Sequence, residues 1–146
     1  LDAATMPVAS YLLDESTVAA LGAETAAGHY TSINYVSTLD TDANNEFLKK
    51  YHEKFGDDAE MTVVGEETYV SVKLLAEALK KTDDYSAASI IKAMDGITLE
   101  VPEGEVKFDP ETNHLYLRGR IAKVNDEGKF EVVYESPELI KPDPTK

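Results

Sequence analysis

At Gly96 the periodicity of this chain changes, and that change limits the fold more than any other feature of the sequence. Before it, apolar residues recur at helical spacing between short extended runs; after it, they alternate as they do in strands. Phe47, Leu48, Tyr51 and Phe55 stand at i, i+1, i+4 and i+8, one face of a helix that Asp40-Thr41-Asp42 opens and Gly56 stops. A second long helix is predicted from Glu66 to Lys81, with Tyr69, Val72, Ala76 and Leu79 on one stripe and Lys80-Lys81 at the end where a helix dipole favours cations. A third, from Tyr85 to Met94, is capped by Asp83-Asp84 and closed by Gly96. Beyond Gly96, Val106, Phe108, Leu115, Leu117, Ile121, Val124, Phe130, Val132 and Tyr134 are strand-like, with turns at Asp109-Pro110 and at Asn125-Asp126-Glu127-Gly128. The tail Lys141-Pro142-Asp143-Pro144 propagates neither a helix nor a central strand.

The beginning of the chain has a different texture. Met6 to Leu13 is a short apolar run suited to a buried strand, and Asp14 or Ser16 is placed to cap a helix that ends near Gly22 to Gly28. His29 to Val36 then alternates as a second strand. Strand, helix and strand together span about thirty residues, the scale of a parallel βαβ crossover. The class is therefore α/β with a β-rich end. Two strands, three helices and a late hairpin offer few sheet partners for so many helical faces, so the chain reads as part of a two-lobed protein.

Charge and composition narrow the function. Fourteen basic against 28 acidic residues give a net charge of −14 over 146 residues, the wrong sign for a nucleic-acid partner. Cysteine is absent, which excludes disulfides, Cys-based zinc sites and thiol nucleophiles. No apolar run approaches the roughly 18 residues that span a membrane. The chain opens on Leu1 without a signal-peptide pattern, which leads us to expect either that a leader has been removed or that the segment belongs to something longer.

Candidates for chemistry are weak. His29, His52 and His114 form no ligand-spaced pair and read as surface or structural residues, so no metal site is expected. Glu66-Glu67, Asp57-Asp58 and Asp83-Asp84 are adjacent acids that point in different directions and make poor acid–base dyads. No G-x-S-x-G elbow, G-x-G-x-x-G or phosphate loop occurs. Asp40 to Asn44 lacks the glycine and distant bidentate Glu of a calcium loop and reads as a helix start. No catalytic residue and no cofactor is expected.

The order of segments resembles type I periplasmic binding proteins, in the urea and short-chain-amide branch of the branched-chain amino acid-binding family. Pro7-Val8-Ala9-Ser10 and Glu15 through Ala26-Ala27-Gly28-His29-Tyr30 are similar to a strand, helix and strand of that branch. Leu39-Asp40-Thr41-Asp42-Ala43-Asn44, with Phe47 and Tyr51 to Gly56, resembles its "LDT-x-AN…F…Y…FG" pattern. Glu67-Thr68-Tyr69 is similar to the start of its long late helix. Pro102-Glu103-Gly104, Asp109-Pro110, Asn113-His114, Gly128-Lys129-Phe130 and Pro142-Asp143-Pro144 resemble its C-terminal signature.

The resemblance implies the C-terminal part of a fold with two α/β lobes, three-layered around parallel sheets, that closes on a small solute. Residues 1–37 would belong to the second lobe, 38–98 would supply helices returning to the first, and 99–146 would form the β-rich end. Ser10 and Tyr11 would lie at the cleft end of the first strand, where open α/β sheets bind ligands; for Ser10 the alternative is a plain turn residue. Relatives that bind amino acids carry an acid there or next to it, and a hydroxyl and a phenol in its place favour a neutral ligand such as urea or a short amide. Val64 and Glu66 would sit in the loop before the long helix, approaching the ligand from the first lobe, or be structural. The implied role is the solute-binding component of an ABC importer, periplasmic or a cell-surface lipoprotein, partnered by a membrane permease. Alternatives are a cytoplasmic amide-sensing regulator of the same fold, a branched-chain amino acid-binding protein and, weakest, an amide hydrolase. Unpaired helical faces further suggest a homo-oligomer.

Overall fold

The computed structural model describes residues 3–145. Strand β1 (Ala9–Ser10) leads through α1 (Glu15–Leu21) and the short α2 (Ala23–Ala26) to β2 (Tyr30–Ile33). Three helices follow, α3 (Asp42–Phe55), α4 (Val63–Leu79) and α5 (Ala87–Met94), and then β3 (Thr98–Val101), β4 (Gly104–Asp109), β5 (His114–Tyr116), β6 (Arg120–Val124) and β7 (Phe130–Glu135).

The strands form two sheets. One has the order β1-β2-β6-β7, the other β3-β4-β5. The β1–β2 pair is parallel, as the crossover predicts, with Ser10 opposite Thr31; all other ladders are antiparallel. The expected single late hairpin is thus replaced by five strands, two of which extend the first sheet while three build a second. The chain leaves the first sheet after Ile33, joins the second at Thr98 and re-enters the first at Arg120, and the tail returns to bridge Ile140 to Leu117.

Local chemistry explains the element boundaries. Asp14 caps α1 by accepting from the Thr17 amide at 2.9 Å, and Thr41 caps α3 by accepting from the Asn44 amide at 3.0 Å. Gly56 closes α3 as predicted. Phe47, Leu48 and Tyr51 pack on the core, whereas Phe55, at the end of the same stripe, is exposed. The α4 prediction needs two corrections. Thr62 caps the helix, so it starts at Val63 instead of Glu66, and Val64 and Glu66 belong to its first turn instead of a preceding loop. Its buried stripe is Val63, Glu66, Val70, Leu74 and Ala78, and Val72 faces outward. In α5 the cap is Ser86, not Asp83-Asp84; Asp84 instead accepts from the Ser86 amide and the Ser89 hydroxyl, fastening the first turn from outside.

The apolar run Met6 to Leu13 also falls short of its prediction. Only Ala9–Ser10 is strand, and Met6, Val8, Tyr11 and Leu12 are exposed. Pro7 has no amide to give to a ladder, and beyond Ser10 the chain turns, with Ser10 Oγ accepting from the Leu12 amide at 3.1 Å. At the far end of the sheet the 125–128 turn forms as expected, Asn125 Oδ1 accepting from the amides of Glu127 and Lys129. Gly128 is required there twice over: its φ is +75°, and a β-carbon would come within 3.0 Å of Ala23 Cβ.

Apolar packing divides in the same way as the sheets. Val18, Ala26, Ile33, Tyr35, Val36, Ala122, Val124 and Phe130 form a core between the first sheet, α1–α2 and α3. Leu74, Ala78, Ile97 and Phe108 join α4 and α5 to the second sheet, with Val70, Val101 and Val106 beside them. Each such side chain removed from water contributes roughly 1.5–3 kcal/mol. Between the two cores lies a polar seam.

Candidate functional site

The C-terminal ends of β1 and β2, the N-terminal end of β6 and the C-terminal end of β7 share one edge of the first sheet, since Ile33 pairs with Arg120 and Arg120 with Glu135. A cleft of about 490 Å³ opens at this edge, lined among others by Ser32, Asn34, Arg118, Arg120 and Ile140. Ser10 lies on β1, half-buried, and Tyr11 projects into solvent beyond it. Neither lines that cleft. The Ser10 oxygen accepts from Leu12, which leaves its hydroxyl proton available to a ligand.

Val64 and Glu66 are two positions apart on α4, about 200° around the helix. They therefore face opposite ways: Val64 is exposed and Glu66 is completely buried. Of the four residues singled out from sequence, Ser10 and Tyr11 adjoin the edge, Glu66 lies behind it, and Val64 points to the surface.

The seam around Glu66 contains the groups that sequence reading missed. Arg120 is buried, and each of its three side-chain nitrogens is engaged: Nε donates to Glu135 Oε2 at 2.6 Å, Nη2 to the Glu103 carbonyl at 2.9 Å, and Nη1 to the Asn34 carbonyl. Asn34 Nδ2 donates to Glu103 Oε2 at 3.2 Å. Glu103 is itself buried, which pushes its carboxyl above the usual range against the pull of Asn34 and Arg120. Glu66 has neither carboxyl oxygen in a well-formed hydrogen bond among the described residues. Burial, and then the charge of Glu103, push its pKa up to about 8; the Glu103 amide and Arg120 oppose this without outweighing it. An unpaired carboxylate at such a site is costly enough that the group takes a proton instead. At neutral pH Glu66 is a neutral acid within the seam.

The connector from β2 to α3 is clamped from both sides. Glu15 Oε1 accepts from the Ser37 amide at 2.6 Å. Asn44 is buried; its Oδ1 accepts from the Tyr35 hydroxyl at 2.9 Å while its Nδ2 donates to the carbonyls of Ser37 and Leu39. Thr41 Oγ1 donates to the Pro102 carbonyl, tying the start of α3 to the β3–β4 turn.

Chemically, the edge carries hydrogen-bonding groups together with the ion pair of Arg120 and the exposed Glu135. His29 Nδ1 accepts from the Val8 amide, and rings of His52 and His114 lie against backbone carbonyls of Ala59 and Thr112. Ser10 has no base beside it in these bonds. Among the described residues no group of three or more His, Asp or Glu side chains is placed to hold a metal ion, and no helix is long and apolar enough to cross a membrane.

The missed residues had only faint signals. Asn34 is a polar stop to an apolar strand, and the chain's two arginines, Arg118 and Arg120, stand together in a strongly acidic sequence.

Known proteins place this architecture. A solute-binding protein of an ABC transporter from R. palustris, solved in complex with benzoate, superposes with a TM-score of 0.81 at 20% identity, covering 97% of this chain and 39% of that one. This supports the expected type I fold. In sequence, the Leu/Ile/Val-binding protein homolog 6 of Brucella abortus is 30% identical over 79% of this chain and 30% of its own length. A protein of Geobacillus stearothermophilus named limonene hydroxylase is 27% identical over 85% of this chain and 23% of its own length. The chain thus spans well under half the length of these relatives. The periplasmic binding protein domain matches residues 1–146 in full, and the chain belongs to that family.

Proposed function

We propose that this chain is the C-terminal part of a two-lobed solute-binding protein that serves an ABC importer outside the cytoplasm, and that its solute is urea or a short amide. On this reading residues 1–37 and the last strands belong to one lobe, the helices of 38–98 pack on the other, and solute is held at the shared sheet edge. Ser10 gives a hydrogen bond, Tyr11 forms part of the wall and Asn34 offers its side-chain oxygen, while Glu66 acts from behind the edge as a neutral acid. A membrane permease receives the solute, and no covalent step is involved.

The observation that carries the reading is the chemistry of that edge: a hydroxyl, a phenol and a carboxamide, with the carboxyls of Glu66 and Glu103 buried and raised in pKa and that of Glu135 paired with Arg120. Such an edge matches the donors and acceptors of an uncharged amide, and its exposed carboxylate, Glu135, is already paired with Arg120. A second reading, a branched-chain amino acid as solute, is favoured by the name of the Brucella relative.

Substitution of Ser10 in the two-lobed protein tests the proposal. A hydrogen bond to an uncharged partner contributes about 0.5–1.5 kcal/mol, more when its loss strands a buried group. Ser10→Ala should weaken amide binding roughly 5- to 30-fold, and Ser10→Glu should abolish it by placing a charge where no cation pairs with it. Unchanged affinity in Ser10→Ala, measured by calorimetric titration, would remove Ser10 from the site.

A further inference from the structure

The seam and its edge leave unused a groove of about 650 Å³ between α3, α4 and the end of β3. Its floor is aromatic. The rings of Phe47 and Tyr69 lie 4.5 Å apart between centroids, and those of Tyr51 and Phe55 lie 4.8 Å apart. Phe55 is exposed at its end, unlike Phe47, Leu48 and Tyr51 of the same stripe, which pack on the core.

Cations stand over this floor. Lys54 Nζ is 5.4 Å from the Phe55 ring centre and Lys73 Nζ is 5.4 Å from that of Tyr69. Lys50, also on the rim, is paired with Glu46 at 2.5 Å. Lys54 and Lys73 make no ion pair among the described residues. In a chain of net charge −14, the groove's lining sets Lys50, Lys54 and Lys73 against Glu46 and Glu100, a local excess of positive charge over tilted aromatic rings. Such a surface attracts anions, and the rings select those with a flat apolar body.

We propose that the α3–α4 groove, with Phe47, Tyr51, Phe55 and Tyr69 as floor and Lys54 and Lys73 as anion clamp, is a second binding site, specific for a small aryl-alkyl carboxylate. It shares no residue with the sheet edge where the solute is proposed to bind. The ligand's ring lies against the aromatic floor and its carboxylate takes hydrogen bonds from the two lysines.

The test uses 3-phenylpropionate as the probe, titrated into the 15N-labelled two-lobed protein at low ionic strength. Amide shifts should cluster at residues 47–55 and 69–73 and saturate in the millimolar range or below. 3-Phenylpropan-1-ol, which keeps the ring and loses the charge, should bind at least threefold more weakly, and propionate should produce no saturable shift. Lys54→Glu with Lys73→Glu should weaken the probe at least tenfold. Lys54→Gln with Lys73→Gln, which preserves side-chain reach without reversing charge, should weaken it at least threefold and supplies the answer if the reversal perturbs the fold. Equal affinity for the alcohol, an unaffected double glutamine variant, or shifts confined to Ser10, Tyr11 and Asn34 would overturn the proposal; the last result would leave the edge reading standing.

Discussion

Replacing Glu66 by glutamine should stabilise this chain at neutral pH and do almost nothing at pH 5. In the folded chain the carboxyl is fully buried, without a well-formed hydrogen bond, and its pKa is pushed up to about 8 from an ordinary value of 4.5. A group whose folded pKa is raised contributes its full stability below the unfolded value and loses it as pH climbs towards the folded one. Between about pH 4.5 and 8 the unfolded chain has released this proton and the folded chain has kept it, so stability falls by about 1.4 kcal/mol per pH unit from this group alone. From pH 5 to 7 the loss amounts to about 2 to 3 kcal/mol. Glutamine keeps the shape and has no proton to lose. Many other acids titrate over the same range, so the informative quantity is the difference between variant and parent, measured by urea denaturation at both pH values. That difference should grow by about 2 to 3 kcal/mol in favour of glutamine at pH 7. A constant difference, or a parent that becomes relatively more stable as pH rises, would show that Glu66 is ionised in the fold and paired, and the account of the seam would fail.

Two further substitutions probe the elements that position the edge. Asn44→Ala removes the partner of the Tyr35 hydroxyl and of the Ser37 and Leu39 carbonyls, and should cost about 2 to 4 kcal/mol in denaturant unfolding, since each buried group left unpaired costs about 1–3 kcal/mol; a cost below 1 kcal/mol would mean that the connector is not clamped there. Gly128→Val places a β-branched residue at φ +75° with its β-carbon 3.0 Å from Ala23, and should cost roughly 2 to 4 kcal/mol by adding strain to overpacking, whereas Gly128→Ala should cost visibly less.

Which parts of this molecule its sequence disclosed follows from where the determining contacts lie. Helix α3 was readable at both ends because Thr41 and Gly56 act within a turn of the residues they cap. The parallel β1–β2 pair was readable from one short crossover. The start of α4 was misplaced because Glu66, an acid, was assigned to the helix entrance, where polar residues are common; in the fold it occupies an inward position between Val63 and Val70. Nothing local marks a buried carboxyl. Residues of four of the five late strands, β4 to β7, were recognised as strand-like and β3 was not; the division of the strands between two sheets depends on Arg120 reaching Asn34 across 86 residues and Asn34 reaching Glu103 across 69. Ser10 and Tyr11 were singled out because the end of a strand is where open sheets expose functional groups, and their role in binding stays a proposal. Asn34, Glu103 and Arg120 become a cluster only when the chain has crossed between sheets.

The proposed solute is tested most directly by calorimetric titration of the two-lobed protein with urea, acetamide, leucine and benzoate in parallel at pH 7. Urea or acetamide should bind at micromolar Kd or tighter, and leucine and benzoate at least a hundredfold more weakly, because Glu135, Arg118 and Arg120 are engaged with one another and with backbone carbonyls, which leaves the solute hydrogen bonds and not a free ionic partner for an ammonium or a carboxylate. Tight binding of leucine or benzoate, with no heat from either amide, would contradict the assignment of the edge to a neutral solute.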